Sequence, residues 1–274
     1  QDYLKNRNIE VDLKTFDQKM LDQKERARQS WKGIGDIQDD SIWFDITSDI
    51  NPTEFLGYKK TDADCKIIKI VSKGKILNKI ENNLDAIIIL NQTPFYGESG
   101  GQVGDQGFFQ NDKFKFDVIN TTKMFGNYFL HIGKVLNGKC EINDTIKATV
   151  NDKNRNLIKY NHSSTHLLHA ALRKILGKHV AQKGSLVNAE KLRFDFSHNS
   201  PIHDEQLSSI EDIVNYQIQK DGNVDIKIID QKKAIDEGAM ALFGEKYGDE
   251  VRVVTMGQEN DSFFSKELCG GTHV

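Results

Sequence analysis

Two pairs of metal-ligating residues with the same spacing, His162 with His166 and Cys269 with His273, constrain this chain more than anything else in it. If the pairs meet, a segment past mid-chain must fold against its last residues. The first pair is four apart in NHSSTHLLHAALRKIL, an apolar-periodic run, so both imidazoles project from one helix face. Gly270 and Gly271 separate the second pair and let the backbone turn tightly enough to aim a thiolate and an imidazole at one point. Three histidines and a cysteine suit one tetrahedral Zn2+. Alone, either pair has a plain explanation: an i, i+4 histidine pair is often incidental, and CGGTH also suits a turn around a buried cysteine. Together they point to zinc. The first motif is not that of a zinc protease, because Ser163 stands where those enzymes carry a general-base Glu. Three tight ligands would leave room for an activated water, whereas four would saturate the ion; spacing alone leaves both open.

Patterning changes near residue 150. An amphipathic helix is expected over 12–32, with Phe16, Met20, Ala27 and Trp31 near helical spacing. From about 42 to 150 come short β-rich runs, KIIKIVS, AIIILN, FKFDV, YFLHIGKV and TIKATV, separated by Gly, Asn and Asp turns; they predict a small barrel or sandwich. Among them TPFYGESGGQVGDQG, residues 93–107, holds five glycines and reads as a loop that turns sharply or approaches something closely. Asp152 is placed as the cap of a long helix ending at Leu176 before Gly177. Strands follow at HVAQKGSLV and KLRFDF, a helix over 204–220, a strand at VDIKIID, a short helix near 232–237 and a strand at EVRVVTM. This order implies an α+β second half.

Net charge is −3, which argues against a generic nucleic-acid binder, but its distribution is uneven. Residues 151–195 carry nine Lys/Arg against three Asp/Glu, and 196–261 carry six against fourteen. Such asymmetry marks either an electropositive face for a polyanion or two oppositely charged solvated surfaces. Cys65, Cys140 and Cys269 cannot all pair and show no disulfide framework. No signal peptide precedes the folded pattern, and no apolar run approaches the ~20 residues a bilayer needs. A cytoplasmic location is expected. The first residue is Gln rather than Met, so the chain is read as a piece of something longer.

At this point several ordered motifs resemble one family. NHSSTHLLHAALRKILGKHVAQKGSLV, LRFDFSH, FGEKYGDEVRVV and ELCGGTHV are similar to the editing domain of alanyl-tRNA synthetases. TPFYGESGGQVGDQG resembles the glycine-rich motif before that domain, and VDLKTFDQKMLDQKERARQSW the helix joining it to the aminoacylation core. The resemblance implies a connector-helix region over 1–41, a translation-factor-like β-barrel over 42–150, and over 151–274 an α+β zinc-containing editing domain of the alanyl/threonyl-tRNA synthetase type. Further segments of that domain are expected beyond Val274. The implied activity is hydrolysis of Ser-tRNA(Ala) and Gly-tRNA(Ala). The parent enzyme, whose ATP-dependent core is expected elsewhere, attaches alanine to tRNA(Ala). The family's zinc ligands fall on His162, His166, Cys269 and His273. Its substrate-facing residues fall on Thr165 and Gln182, with Gly100, Gly101 and Gln102 of the glycine-rich loop nearby.

Pocket energetics explain why such an activity is needed. A site for alanine cannot exclude glycine sterically, and one methyl is worth only ~1–3 kcal/mol of discrimination. A second site must reward the serine hydroxyl, for which Thr165 beside His166 is suited, although a helix Thr also commonly bonds to its own turn. Gln182, a neutral amide, could orient water or carbonyl but is no strong base. Cys269 counts with Thr165 and Gln182 in the catalytic set. His169 shares the helix stripe and reads as a packed histidine. Lys153, Arg155, Lys159, Arg173, Lys174, Lys178, Lys183 and Arg193 supply most of the local positive charge, and Lys183 and Arg193 are named for contacts to the tRNA acceptor end. Two other readings stay open: a freestanding trans-editing hydrolase of the AlaX type, against which the connector helix argues, and a zinc module without activity.

Overall fold

The computed structural model describes Thr15, Lys19 and residues 40–241, 248–259 and 262–274. Thr15 and Lys19 are helical, and the rest of the expected connector helix lies outside the described residues. The first continuous element is helix α1 (Asp40–Ser48), which buries Trp43 and Ile46. The Tyr128 hydroxyl donates to the carbonyls of Thr47 and Ile50 and so fixes the exit of α1.

Strand β1 (Glu54–Phe55) pairs in parallel with β6 (Gln92–Thr93). The barrel itself closes through β2 (Asp62–Ser72), β5 (Asp85–Leu90), β7 (Gly107–Asn111), β8 (Phe114–Met124), β9 (Tyr128–Glu141) and β10 (Thr145–Val150). Their order is β10-β7-β8-β9-β5-β2, with β2 returning antiparallel to β10, so neither side is left as an open edge. Short strands β3 (Lys75–Leu77) and β4 (Lys79–Glu81) extend β2 and β9. Alternation decides what faces inward: Phe114, Phe116 and Val118 of β8 are buried, as are Ile146, Ala148 and Val150 of β10, while Lys115 and Asp117 of β8 are exposed. Each such aliphatic or aromatic contributes roughly 1.5–3 kcal/mol by leaving water. Five of the six strands match expected runs. The sixth, β7, starts at the last glycine of the 93–107 segment, where glycine density hid a following GFFQN strand. Cys65 and Cys140 are free thiols in the barrel core.

Helix α2 (Asp152–Leu176) leaves β10 after one residue. Its cap is Asn151 rather than Asp152, since Asn151 Oδ1 accepts from the Asn154 amide at 3.2 Å. Hairpin β11 (Gln182–Val187) and β12 (Leu192–Phe196) follows, then α3 (Asp204–Gln219). Strand β13 (Asp225–Asp230), helix α4 (Gln231–Asp236), β14 (Glu250–Glu259) and β15 (Ser262–Leu268) complete the second half, the three strands forming an antiparallel sheet. Of these only β15 was not expected. The fold is thus a closed antiparallel barrel joined to a mixed α/β half, and the described residues from Asp40 onward cluster as one unit.

A buried ion pair locks the halves together. Arg155 on α2 pairs with Asp105 of the glycine-rich segment and donates to the carbonyls of Gly57 (2.8 Å) and Pro94 (2.9 Å). Asp105 in turn accepts from the Tyr96 amide at 2.6 Å. With both charges compensated, the pair fixes where α2 leaves the barrel. Arg155 is therefore unavailable to a polyanion, despite its place in the basic stretch. Among the described residues, no helix is long and apolar enough to cross a membrane.

Candidate metal centre

Helix α2 buries a stripe at helical spacing: Arg155, Ile158, His162, Thr165 with His166, His169 and Leu172. Its apolar members pack on α3 and on the β13–β15 sheet through Leu172, Ile210, Leu167, Val254 and Met256. Its histidines lie between the sheet and the barrel. The rings of His162 and His166 stack with centroids 5.3 Å apart, as i, i+4 spacing dictates.

The segment after β15 brings in the other two residues. One donor atom from each of His162, His166, Cys269 and His273 lies within 4.8 Å of the others. Cys269 Sγ is 3.5 Å from His162 Nε2 and 3.3 Å from His273 Nε2. Tetrahedral zinc with N and S ligands at ordinary bond lengths requires separations of roughly 3.3–3.6 Å. Gly271 is needed here, because a Cβ on it would collide with the His162 imidazole.

Each of the three candidate imidazole ligands is held from behind. His162 Nδ1 donates to Gln102 Oε1 at 2.7 Å, and Gln102 also bonds the backbone and hydroxyl of Thr272 at 2.9 Å each. His166 Nδ1 meets Glu267 Oε2 at 2.8 Å, and His169 Nδ1 meets Glu267 Oε1 at 2.9 Å. Ser163 Oγ lies 3.3 Å from His273 Nδ1. These contacts leave the Nε2 atoms of His162, His166 and His273 for the centre. Nε2 of His166 is buried with no hydrogen-bond partner, which a bound cation would satisfy.

Electrostatics place a thiolate beside an imidazolium here, and a cation taken up by this set would displace the His166 proton. Burial works against charge on Cys269, yet His273 and hydrogen bonds from the surrounding histidines hold its thiol well below the ordinary range. Burial likewise opposes the Glu267 carboxylate, but His166 and His169 bring it down to about 2. His166 rises to about 10 against its burial, chiefly because of Glu267, while burial lowers His273 to about 3. A thiolate, a buried carboxylate and orphaned imidazole nitrogen make a site that fits a divalent cation.

Beside the cluster is a cavity of about 250 Å³. Thr165, Gln182 and Gly100 line it together with His162, His166 and Cys269. Thr165 Oγ1 donates to its own turn at Asn161 O, 2.8 Å, so the plain local bond weighed against the substrate role is present, while its lone pairs remain for a donor. Gly101 has φ +82° and packs on the Ser185 backbone, while Val187 exchanges hydrogen bonds with Gly101 and Val103. The glycine-rich loop thereby lies along hairpin β11–β12. Gln102 is fully buried behind His162 rather than on the cavity wall. Lys183 and Arg193 point to the surface, with Arg193 3.1 Å from Asp195. Lys174 pairs with Glu259, and Arg173 holds the carbonyls of Lys178 and Val180.

Sequence reasoning missed Glu267, Ser163, Tyr58 and Arg252 as partners of the centre. The first could have been sought, because a metal-ligating histidine usually donates its other nitrogen to a carboxylate. Tyr58 and Arg252 carry no such signal.

Known proteins align with the whole chain. A family model described as tRNA synthetases class II (A) matches residues 1–154. An Alanine--tRNA ligase from Parvibaculum lavamentivorans is 45% identical over 278 residues, covering 100% of this chain and 31% of the relative. One from Chelativorans sp. is 45% identical over 279 residues, 100% of this chain and 32% of the relative. One from Rickettsia felis is 46% identical over 275 residues, again 100% of this chain and 31% of the relative. The chain spans about a third of the length of these relatives. By the family match, which covers more than half of its residues, the chain belongs to the class II tRNA synthetases.

Proposed function

We propose that this chain is the editing segment of an alanine–tRNA ligase and hydrolyses Ser-tRNA(Ala) and Gly-tRNA(Ala), with barrel and editing domains at 42–150 and 151–274. The observation that carries the reading is the convergence of four metal-donor atoms beside a cavity that also receives Thr165 and Gln182. The length-wide similarity to Alanine--tRNA ligases supports the substrate class.

His162, His166, Cys269 and His273 would hold one Zn2+. When bound, the ion supplies positive charge that orients the aminoacyl group and favours the developing oxyanion. Four converging protein donors favour orientation over activation of water, because the chain alone completes a tetrahedral set. Thr165, with its proton committed to Asn161, accepts a hydrogen bond from the serine hydroxyl, and an alanine methyl offers none. The Gln182 amide, on the cavity wall, orients the attacking water or the ester carbonyl. Gly100 leaves space for the acceptor end, and Gln102 keeps His162 in its donor orientation. Lys183 and Arg193 stay proposed contacts to tRNA phosphates outside the cavity.

Metal analysis coupled to single-turnover hydrolysis of Ser-, Gly- and Ala-tRNA(Ala) tests this. Zinc at one per chain and hydrolysis of the first two substrates are expected. Thr165→Val should slow Ser-tRNA hydrolysis by roughly 3–10-fold, the worth of one neutral hydrogen bond. Zinc content without turnover of any substrate would leave a structural zinc module and end the editing reading.

A further inference from the structure

Between Cys269 and His273 three consecutive peptide carbonyls are held by side chains from elsewhere in the fold. Arg252 Nη1, on β14, donates to Cys269 O at 2.8 Å and to Gly271 O at 2.9 Å. The Tyr58 hydroxyl, from the segment after β1, donates to Gly270 O at 2.6 Å. The two side chains brace each other, with the guanidinium 4.3 Å over the Tyr58 ring. Arg252 also accepts the Cys269 amide on its own carbonyl at 3.0 Å.

A planar trans peptide carries its carbonyl and N–H on opposite sides. Drawing these carbonyls toward Arg252 and Tyr58 turns the amides the other way. There the Gly271 N–H points at Cys269 Sγ, 3.3 Å off, and the Thr272 N–H at Gln102, 2.9 Å off. Sulfur therefore meets an N–H donor instead of a row of carbonyl oxygens, which favours the thiolate needed for metal binding.

We propose that Arg252 and Tyr58 form a clamp, shared between the two halves of the fold, that pre-shapes the Cys269–His273 loop for its metal ion. Both are positioning residues, and the inference rests on the metal reading given above. Tyr58 is 49% exposed, so Tyr58→Phe removes one hydrogen bond without opening the core.

The test uses the full chain as Tyr58→Phe, Arg252→Met and Arg252→Lys. Zn2+ affinity is measured by competition with a chelator, and Co2+ is used to read the thiolate-to-metal absorption band. Loss of affinity by about 10-fold for Tyr58→Phe and up to about 100-fold for Arg252→Met is expected, the range seen for groups that orient metal ligands. The cobalt band should shift in both. Arg252→Lys should recover only part, since one ammonium cannot reproduce a planar fork that is also stacked. Unfolding of the metal-free variants should stay at the wild-type midpoint. Wild-type affinity and band in Tyr58→Phe and Arg252→Met overturn the clamp, as does an affinity loss matched by equal destabilisation of the metal-free chain. A wild-type chain that binds neither ion overturns the metal reading and the clamp with it.

Discussion

Glu267 is 1% exposed, and a carboxylate that deep is tolerated only when charge and hydrogen bonds surround it. It serves two histidines at once, one oxygen to His166 and one to His169, with Ser265 Oγ 3.4 Å from the second. A glutamine could accept from only one ring and would turn its NH2 toward the other. Glu267→Gln should therefore weaken zinc binding by about 10–100-fold, read by chelator competition. Unchanged affinity would show that His166 orients itself. The four candidate ligands were legible in the sequence because spacing and the glycines between Cys269 and His273 are local. Glu267 was not, since an acidic residue in SKELCGG looks like any solvated charge until the fold brings α2 against β15. Gln102 was named for the right neighbourhood, but its bond to His162 spans 60 residues, beyond any local pattern.

Elements were easier to read than their partners. The long helix α2 announced itself through its apolar period and Gly177, with its cap misplaced by one residue, and the barrel strands through β-branched alternation. The strand β15 stayed hidden because SFFSKEL turns polar residues inward, Ser265 and Glu267 both buried. In the barrel, His131 is likewise a polar residue in an apolar core. Its Nδ1 donates to Ile88 O at 2.9 Å, and its Nε2 accepts from Thr93 Oγ1 at 2.8 Å. Burial pushes this imidazole down to about 4, despite the Ile88 contact. The unfolded chain binds that proton near pH 6.5 and the folded one does not, so the stability is intact above 6.5. It falls away as pH drops toward 4, by on the order of 3 kcal/mol. Urea unfolding of wild type and His131→Gln at pH 7 and pH 4.5 checks this. The wild type should lose more between the two, and parallel losses would place the acid sensitivity elsewhere.

At the scale of the whole molecule, the centre joins parts distant in sequence: the glycine-rich loop, α2 and the segment after β15. An ion that binds only this arrangement stabilises all of it. With free zinc at about 1,000 times its dissociation constant, the folded state should gain on the order of 4 kcal/mol. Thermal unfolding with zinc and with excess chelator should show the midpoint move up and down accordingly; a midpoint indifferent to both would mean that the cluster holds no ion. The same separation bears on how the site comes into being. Cys269 lies 107 residues after His162. At the pace of a ribosome, His162 and His166 would wait roughly 5–20 s for their partners to be made. By then every barrel strand up to Val150 has been made, so the barrel can close first, and a metal centre at this cluster would be among the last features to mature.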